Sequence, residues 1–478
     1  MLRNEFQTPN KVHPIAWLVA ILVGILLGVI SQDPLLVFIS VLFLPIIFYF
    51  SFRDNEPQVI FIAFIFYYLS ITIKLFYAIY FNTSFTLYSE STLIESTTYI
   101  SFVAMFFFML GVYISTKKIK FKKNDSISTT LLKYNPSRIV IIYLSSFLLS
   151  SFIRINGSGW GGYYQFAVNI TYLHYAILFV LIAHAYYTDS NTKITIAIIL
   201  FEIILSFSGY FSGFKDYLLI ILASLLAFKI QFNFRQTILI TIISFLTLYT
   251  LIIWTAVKPE YRKFLNGDEK SQTVVVSKSD ALGKLLELAS NFNSKNYNYE
   301  EIYYLLVDRI SYTEFFSLSM EQVPQFIPHE NGQLLLDAFD HVLTPRILNP
   351  NKKAINDSEM VNKYSGKRVS GEEEGTSFSL GIVAEMYIDF GIYLMHPILF
   401  LFGVFMGFMY RYIIMNSLNK LWGCALVMNF LFLFNCNGVA TKKVVGYLLM
   451  YFIVYLCFRF FLLKRIDKYL RGSYIKHL

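Results

Sequence analysis

"PIAWLVAILVGILLGVI", residues 14–30, is an uncharged apolar stretch of about the length that an α-helix needs to cross a bilayer. It lacks a small-residue cleavage site, so we expect it to be retained as a first membrane helix. Similar apolar runs cover residues 34–51, 58–81, 97–115, 138–153, 170–187, 194–211, 217–228, 237–256, 392–410, 421–437 and 444–462. The sequence therefore predicts an all-α polytopic membrane protein with about twelve transmembrane helices.

The composition agrees with this fold class. Of the 478 residues, 56% are hydrophobic and 15% are charged, whereas soluble domains carry about a quarter of charged residues. The net charge of +9 does not indicate a nucleic-acid partner, because the basic residues cluster beside the apolar runs. We expect membrane lipid, and no nucleic acid, among the partners.

Lysine and arginine predict the orientation of the helices. The basic residues that follow the fourth, eighth and tenth runs, and those at both ends of the chain, fall on one side if there are twelve spans. Both termini are then cytoplasmic. Residues 1–256 hold helices 1–9, residues 257–377 form one large extracytoplasmic loop, and residues 378–478 hold helices 10–12. Within the loop, residues 300–320 read as a short helix ended by Pro324.

A basic segment, "TPRILNPNKKAIND" at residues 344–357, lies in this loop. Its cations are Arg346, Lys352 and Lys353, and the two prolines stiffen the backbone around them. Such a loop can hold its cations against a phosphate group, Arg by its fork and Lys as a point charge. The alternative is a solvated basic loop, or one that meets lipid headgroups.

Arg309 falls within the apolar face of the predicted 300–320 helix. A guanidinium placed there must find an anion or hydrogen-bond acceptors, because it cannot deprotonate. The anion is either a ligand or, alternatively, a loop carboxylate such as Asp337 or Asp340 in a structural salt bridge.

Glu385 lies in the stretch "TSFSLGIVAEMYIDFG", residues 376–391, which enters the tenth span from outside. If this stretch is helical, Glu385 and Asp389 share one face. A carboxylate at the membrane rim is a candidate functional group and could accept a proton. The alternative is a hydrogen-bonded strut to a neighbouring helix.

Several further polar residues belong to the same outer level in this topology. Arg154 precedes a glycine-rich loop, Lys215 lies beside Asp216 at an outer turn, and Lys442 and Lys443 precede the last span. His341, near Arg346 in the sequence, is a second candidate base. No spacing of His, Cys, Asp or Glu indicates a metal site, so we expect no metal and no cofactor.

These stretches resemble the Wzy-type oligosaccharide repeat-unit polymerases of bacterial surface polysaccharides. The shared features are Pro345-Arg346 and Pro350-Asn351-Lys352 in the large loop, then Glu385-Met386-Tyr387 and Phe390-Gly391 at the start of the next helix. The segment "FSGFKDYLL" is similar to a basic turn of that family, although Lys215 stands where the family usually has Arg. Chain length, helix number and the position of the loop also fit.

The resemblance implies a GT-C-like fold and a metal-independent polymerase at the outer face of the bacterial cytoplasmic membrane. Such an enzyme moves a growing glycan from undecaprenyl diphosphate onto a lipid-linked repeat unit, and a chain-length regulator is a further candidate partner. In this interpretation the donor diphosphate is held by Arg309, Arg346, Lys352, Lys353, Lys215 and Arg154. Glu385 or His341 takes the proton of the acceptor hydroxyl.

Two other functions remain open from the sequence. An O-antigen ligase-like enzyme would use a similar loop but would transfer finished glycan to another acceptor. A flippase or transporter for the lipid-linked oligosaccharide would favour polar residues in the middle of many spans, and here the mid-span charges are chiefly Lys74 and Glu202.

Overall fold

The protein is a bundle of helices. The computed structural model describes residues 12–53, 56–121, 125–206, 214–228, 234–267, 274–292, 299–344, 355–369, 378–434 and 438–472. Within these ranges the chain is all-helical and contains no strand. This confirms the predicted fold class of an α-helical membrane protein.

Among the described residues, eleven α-helices begin before the predicted loop. Three of them begin at a proline, which suits the first helical turn because its N–H is not needed there. The eleven helices are α1 (Pro14–Ile30), α2 (Pro34–Ser51), α3 (Val59–Tyr80), α4 (Ile94–Thr116), α5 (Ile127–Leu131), α6 (Pro136–Asn156), α7 (Tyr164–Thr171), α8 (Leu173–Thr188), α9 (Thr192–Ser206), α10 (Phe214–Ala227) and α11 (Phe234–Leu265).

Five helices lie in the loop and five follow it. The loop holds α12 (Lys278–Ser290), α13 (Tyr299–Ile310), α14 (Thr313–Gln322), α15 (Gln333–Leu343) and α16 (Asp357–Ser365). The remainder contains α17 (Ile382–Asn416), α18 (Lys420–Leu426), α19 (Phe430–Phe434), α20 (Thr441–Cys457) and α21 (Lys464–Arg471).

Seven helical stretches among the described residues are long and apolar enough to cross a membrane. They are Pro34–Ser51, Val59–Tyr80, Ile94–Thr116, Pro136–Asn156, Phe166–Thr188, Ile382–Asn416 and Thr441–Arg471, and two shorter apolar helices lie at Pro14–Ile30 and Asp216–Ala227.

The apolar run predicted at 421–437 forms two short helices, α18 and α19, in place of one continuous helix. The turn between them is closed by backbone bonds from Met428 N to Ala425 O and from Phe430 N to Val427 O. Nearly all of this segment is buried. Its side chains are apolar because they pack inside the protein, where irregular backbone is tolerated at membrane depth.

The long helix α17 packs against α4 through glycines on both helices. A Cβ added at Gly403 would lie 2.3 Å from Phe108 O, and one added at Gly111 would lie 2.1 Å from Phe400 O. Gly403 and Gly407 are four residues apart, the spacing that lets two membrane helices approach backbone to backbone. This contact fixes α17, which carries Glu385, against the N-terminal half of the chain.

The predicted 300–320 helix is broken at Ser311-Tyr312 into α13 and α14, which pack on different partners: α13 on α3 and α11, and α14 on α4, α16 and α17. Tyr304 packs near Tyr77, Asp308 pairs with Lys74, and the Tyr312 amide donates to Ser70 O at 3.3 Å. Later residues of this segment contact earlier residues of α3, so α13 runs antiparallel to α3. The C-terminal end of α13 therefore lies beside the middle of that span. The large loop therefore enters the helix bundle.

Lys74 is buried in α3, with 1% of its side chain exposed. Its ammonium lies 2.8 Å from Asp308 Oδ1 and 3.1 Å from Glu314 Oε2. An unpaired charge at this depth would cost several kcal/mol, and the carboxylates of Asp308 on α13 and Glu314 on α14 compensate it. Lys74 is thus held by the loop, and it does not extend its side chain to the membrane surface.

We expect Gly403→Ala to lower the unfolding temperature in detergent micelles, because the new methyl group must push α17 away from the Phe108 carbonyl. Overpacking of this kind costs about 1–3 kcal/mol. Gly283→Ala is the matched control, since Gly283 is also helical and a Cβ there meets nothing within 4 Å. An equal unfolding temperature for the two variants would contradict the close helix contact.

Candidate functional site

The first turns of α17 present two buried carboxylates, Glu385 and Asp389, one helical turn apart. Glu385 Oε2 accepts a hydrogen bond of 2.8 Å from the Thr441 amide at the start of α20. Asp389 accepts bonds of 2.9 and 2.8 Å from the amides of Leu334 and Leu335 at the start of α15. Each carboxylate therefore lies at the positive end of another helix. Glu385 thus forms a hydrogen-bonded strut between α17 and α20, which is the alternative that the sequence left open.

The helix α17 changes direction at Gly391, whose φ of +70° is the left-handed region that favours glycine. The carbonyl of Ile388 just before it accepts hydrogen bonds from the Glu330 amide at 3.0 Å and from His329 Nδ1 at 3.1 Å. The His329 ring also lies against Gly391, with its Nε2 atom 3.3 Å from where a Cβ would be. The break in α17 thus forms a docking point for the loop.

Two lysines in the first turn of α20 bind the loop helices. Lys443 Nζ lies 2.6 Å from Asp357 Oδ2 at the start of α16, and Asp357 is buried. Lys442 Nζ lies 3.9 Å from Asp337 Oδ2 on α15, a longer and more exposed pair that contributes little. Both helices that flank the basic segment 344–357 are therefore attached to α20.

We name Asp357, Glu385, Thr441, Lys442 and Lys443 the outer cluster. Asp357 and Lys442 both lie close enough to Glu385 to interact with it electrostatically. Asp357 Oδ1 is buried and has no hydrogen-bond partner among the residues that the structure describes, whereas the side chain of Thr441 interacts with Glu385. Buried polar atoms without partners mark positions where water or a polar ligand group can bind.

Sequence reasoning missed Asp357 and Thr441 as members of this site. Asp357 is the last residue of the basic segment but is 86 residues from its partner Lys443. Thr441 contributes a backbone amide, which no side-chain pattern reveals. The one usable signal was the pair Lys442-Lys443, which the predicted topology places on the outer side against the positive-inside trend, because such lysines need anionic partners.

Arg309 lies at the C-terminal end of α13 and is exposed, whereas Ile302 and Val307 of the same helix are buried. The helical wheel predicted that Arg309 lies on the apolar face of the helix. In the structure α13 buries only part of that face, and Arg309 lies on the exposed part. Within the described ranges Arg309 forms no ion pair, so the predicted salt bridge to Asp337 or Asp340 does not form there.

Arg309 approaches the outer cluster through Tyr312. Burial raises the pKa of the Tyr312 hydroxyl, and the nearby Arg309 opposes this rise. The Tyr312 ring lies against Gly438, where an added Cβ would be 2.0 Å from Cζ. Gly438 has a φ of +72° and comes three residues before Thr441. Tyr312 and Glu385 therefore border the same end of α20, and Arg309 lies near Tyr312.

Arg154 ends α6 and interacts with the hydroxyl groups of Tyr175 on α8 and Tyr217 on α10. It also interacts with Tyr172, which in turn interacts with Tyr447 on α20. Tyr447 is four residues beyond Lys443. Tyr172 therefore interacts both with Arg154 and with a residue in the second turn of α20.

The other candidate residues lie as follows. His341 is half-buried on α15, which packs along α20 where Val342 meets Gly446. Arg346, Lys352 and Lys353 lie outside the described residues, and so does the side chain of Lys215. In the described part of the chain no three His, Cys, Asp or Glu side chains form a group that could hold a metal ion.

The fold and the outer cluster define a helical membrane protein with a loop docked on the ends of its spans. The family model described as "Domain of unknown function (DUF8712)" matches residues 35–468, and the chain belongs to this family. No curated protein and no solved structure matches the chain.

We expect Asp389→Asn to loosen α15, because an amide cannot accept both backbone hydrogen bonds without turning its own N–H₂ group toward one of the donors. A lost helix cap costs about 1 kcal/mol. Hydrogen exchange at the Leu334 and Leu335 amides should then be about fivefold faster. The control is Asp340→Asn, an exposed position on the same helix. Equal exchange in both variants would contradict the capping role.

A second prediction concerns Glu330, which accepts a hydrogen bond from the Tyr364 hydroxyl and pairs with Lys363 Nζ at 3.0 Å. These contacts hold the pKa of Glu330 below its usual value. The contribution to stability is therefore present above the unfolded pKa of about 4.3 and is lost as pH falls through the lowered folded pKa.

Glu330→Gln should accordingly reduce the free energy of unfolding at pH 7 by about 1 kcal/mol or less, and the difference from the unsubstituted protein should be smaller at pH 3. Chemical unfolding in micelles at the two pH values checks this. A difference that is as large at pH 3 as at pH 7 would show that the Glu330 charge plays no part.

Proposed function

We propose that this protein is a membrane glycosyltransferase that polymerises lipid-linked oligosaccharide repeat units. The acceptor hydroxyl of one repeat unit attacks the anomeric carbon of a glycan carried on undecaprenyl diphosphate. The new glycosidic bond forms as the bond from that carbon to the diphosphate oxygen breaks. The lipid diphosphate leaves with its electron pair, and a base on the protein takes the proton of the hydroxyl.

The observation that carries the proposal is the attachment of the basic segment 344–357 at both of its ends. The preceding helix α15 is held by Asp389, and the following helix α16 is held by the Lys443–Asp357 ion pair. Both attachments lie beside the buried Glu385. Such an arrangement supports a site in which loop cations and a carboxylate act on one substrate.

The proposal assigns the donor diphosphate to the cations Arg309, Arg346, Lys352, Lys353, Lys215 and Arg154. Fixed guanidinium and ammonium groups stabilise the charge that develops on a leaving diphosphate, so these residues can supply that stabilisation themselves. The proton acceptor is Glu385 or His341. Glu385 is buried at the rim, and His341 lies on the helix that leads into the basic segment.

The proposal also includes the topology. It takes the twelve predicted apolar runs as spans and places both termini in the cytoplasm, and the seven long apolar stretches among the described residues support a protein that crosses the membrane several times. The loop then faces the outside of a bacterial cytoplasmic membrane, where lipid-linked repeat units are joined in the Wzy-type enzymes that the sequence resembles. A GT-C-like arrangement of the spans and a chain-length regulator as partner belong to the same proposal.

Purified protein in nanodiscs should convert a lipid-linked repeat unit into a ladder of longer glycans, and a chelator should leave the ladder unchanged. Arg309→Ala and Arg346→Ala should each slow elongation by about 10²-fold, since each removes a charge from the leaving-group site. Arg368→Ala, an exposed arginine of the same loop, is the matched control. Gel electrophoresis of the labelled glycan gives the ladder and its rate.

Each contrary result has a definite meaning. A normal ladder in Arg346→Ala would remove Arg346 from the mechanism. Transfer of finished glycan to a different acceptor, with no ladder, would indicate a ligase. Movement of the lipid-linked unit across vesicles without a new glycosidic bond would indicate a transporter and would overturn the proposed function.

A further inference from the structure

The turn between α2 and α3 buries a guanidinium that lacks hydrogen-bond partners. Arg53 lies two residues beyond the end of α2, and only 8% of it is exposed. Its Nε and Nη2 atoms are buried and form no hydrogen bond with the residues that the structure describes. A guanidinium cannot lose its proton, so its charge requires an acceptor that these residues do not supply.

The backbone of this turn is fixed, which keeps Arg53 in place. The Gln58 side chain, just before α3, accepts a hydrogen bond of 3.1 Å from the Arg53 amide and donates to the Arg53 carbonyl. It also donates to the Glu56 carbonyl at 3.1 Å. The guanidinium itself lies over the Tyr113 ring of α4, with Cζ 5.7 Å from the ring centroid. Tyr113 thus covers one face of the guanidinium but accepts none of its hydrogens.

The neighbouring carboxylate does not satisfy this arginine. Glu56 is buried and interacts electrostatically with Arg53, but Arg53 forms no ion pair with it or with any other described carboxylate. Glu56 Oε2 instead accepts a hydrogen bond of 3.1 Å from the Tyr410 hydroxyl on α17. The buried Lys420 acts on the same carboxylate, and its amide donates to Asp125 Oδ2 at 2.8 Å. The Arg53 charge is therefore the one in this corner that an added anion would compensate.

The surroundings of Arg53 favour an anion and connect it to the lipid-facing surface. Lys117, which follows the last turn of α4, is exposed one helical turn beyond Tyr113. The Tyr113 ring also packs near Tyr49 and Phe50 of α2, with centroid distances of 6.4 and 5.1 Å. Tyr49 is exposed on a helix that is long and apolar enough to cross a membrane. A headgroup held by the two cations would have its acyl chains beside these rings.

We propose that Arg53 is the centre of a binding site for a phosphate group, where the end of α2 meets the end of α4. The ligand is an anionic phosphate, carried by a phospholipid headgroup or present as free phosphate. Phosphate oxygens match the fork of N–H groups on a guanidinium, and the ammonium of Lys117 adds a point charge.

This site is separate from the outer cluster. Glu385 lies in the first turn of α17, whereas Tyr410, which contacts Glu56, lies near the other end of that helix. The two positions are roughly 35 Å apart along the helix at 1.5 Å per residue. The inference is therefore independent of the proposed function, and either can fail without the other.

The test is thermal unfolding of the full chain in dodecyl maltoside micelles without phosphate. One arm adds phosphatidylglycerol and the other adds inorganic phosphate. The unfolding temperature of the unsubstituted protein should rise with ligand concentration, because the ligand binds the folded state. In Arg53→Gln the concentration that gives half of the rise should be about tenfold higher, since the charged hydrogen bonds are lost.

Arg465→Gln is the matched control, because Arg465 is an exposed arginine on α21. It should keep the full response. A second variant, Lys117→Gln, changes an exposed side chain and leaves the buried packing intact. We expect it to weaken the response about threefold, as is usual for an exposed charge.

The two arms separate the sources of the phosphate. A rise with phosphatidylglycerol alone identifies a lipid headgroup, and a rise with inorganic phosphate as well identifies a site that also takes free phosphate. A rise in neither arm, or full affinity in both Arg53→Gln and Lys117→Gln, would overturn the proposal. So would an equal loss in Arg465→Gln, because it would show general attraction to a positive surface.

Discussion

The structure depends on the placement of two carboxylates at the N-terminal ends of other helices. Glu385 and Asp389 lie in an apolar part of α17, where an ionised carboxylate without partners would cost several kcal/mol. The amides at the starts of α20 and α15 are donors that the helices themselves cannot satisfy. The carboxylates accept hydrogen bonds from these amides. The start of α20 and the loop helix α15 are therefore both fixed to the first turns of α17.

This constraint explains how a long loop can be ordered above a membrane. The loop contacts the spans at three kinds of position: helix ends held by carboxylates, the Ile388 carbonyl freed near Gly391, and the buried ammonium of Lys74. All three are polar groups that the spans could not satisfy alone. The loop is therefore part of the folded bundle, and the outer cluster lies at the boundary between the two.

Much of the fold could be predicted from the sequence, because hydropathy in a membrane protein reports directly on helices. The all-helical class and the candidate residue Glu385 followed from that pattern. The break between α18 and α19 did not, since hydropathy cannot distinguish a helix facing lipid from one buried in protein. Nor did the Lys443–Asp357 pair, because partners so distant in the chain leave no local periodicity. The roles of Arg346, Lys352 and Lys353 stay predictions.

The position of Lys74 has a consequence for shortened forms of the chain. Its partner Glu314 comes 240 residues later in the chain, in α14. The third span therefore carries a buried ammonium whose two compensating carboxylates both come from the large loop. In a chain truncated before α13, Lys74 has neither carboxylate, so its buried charge destabilises the position of α3 among its neighbours.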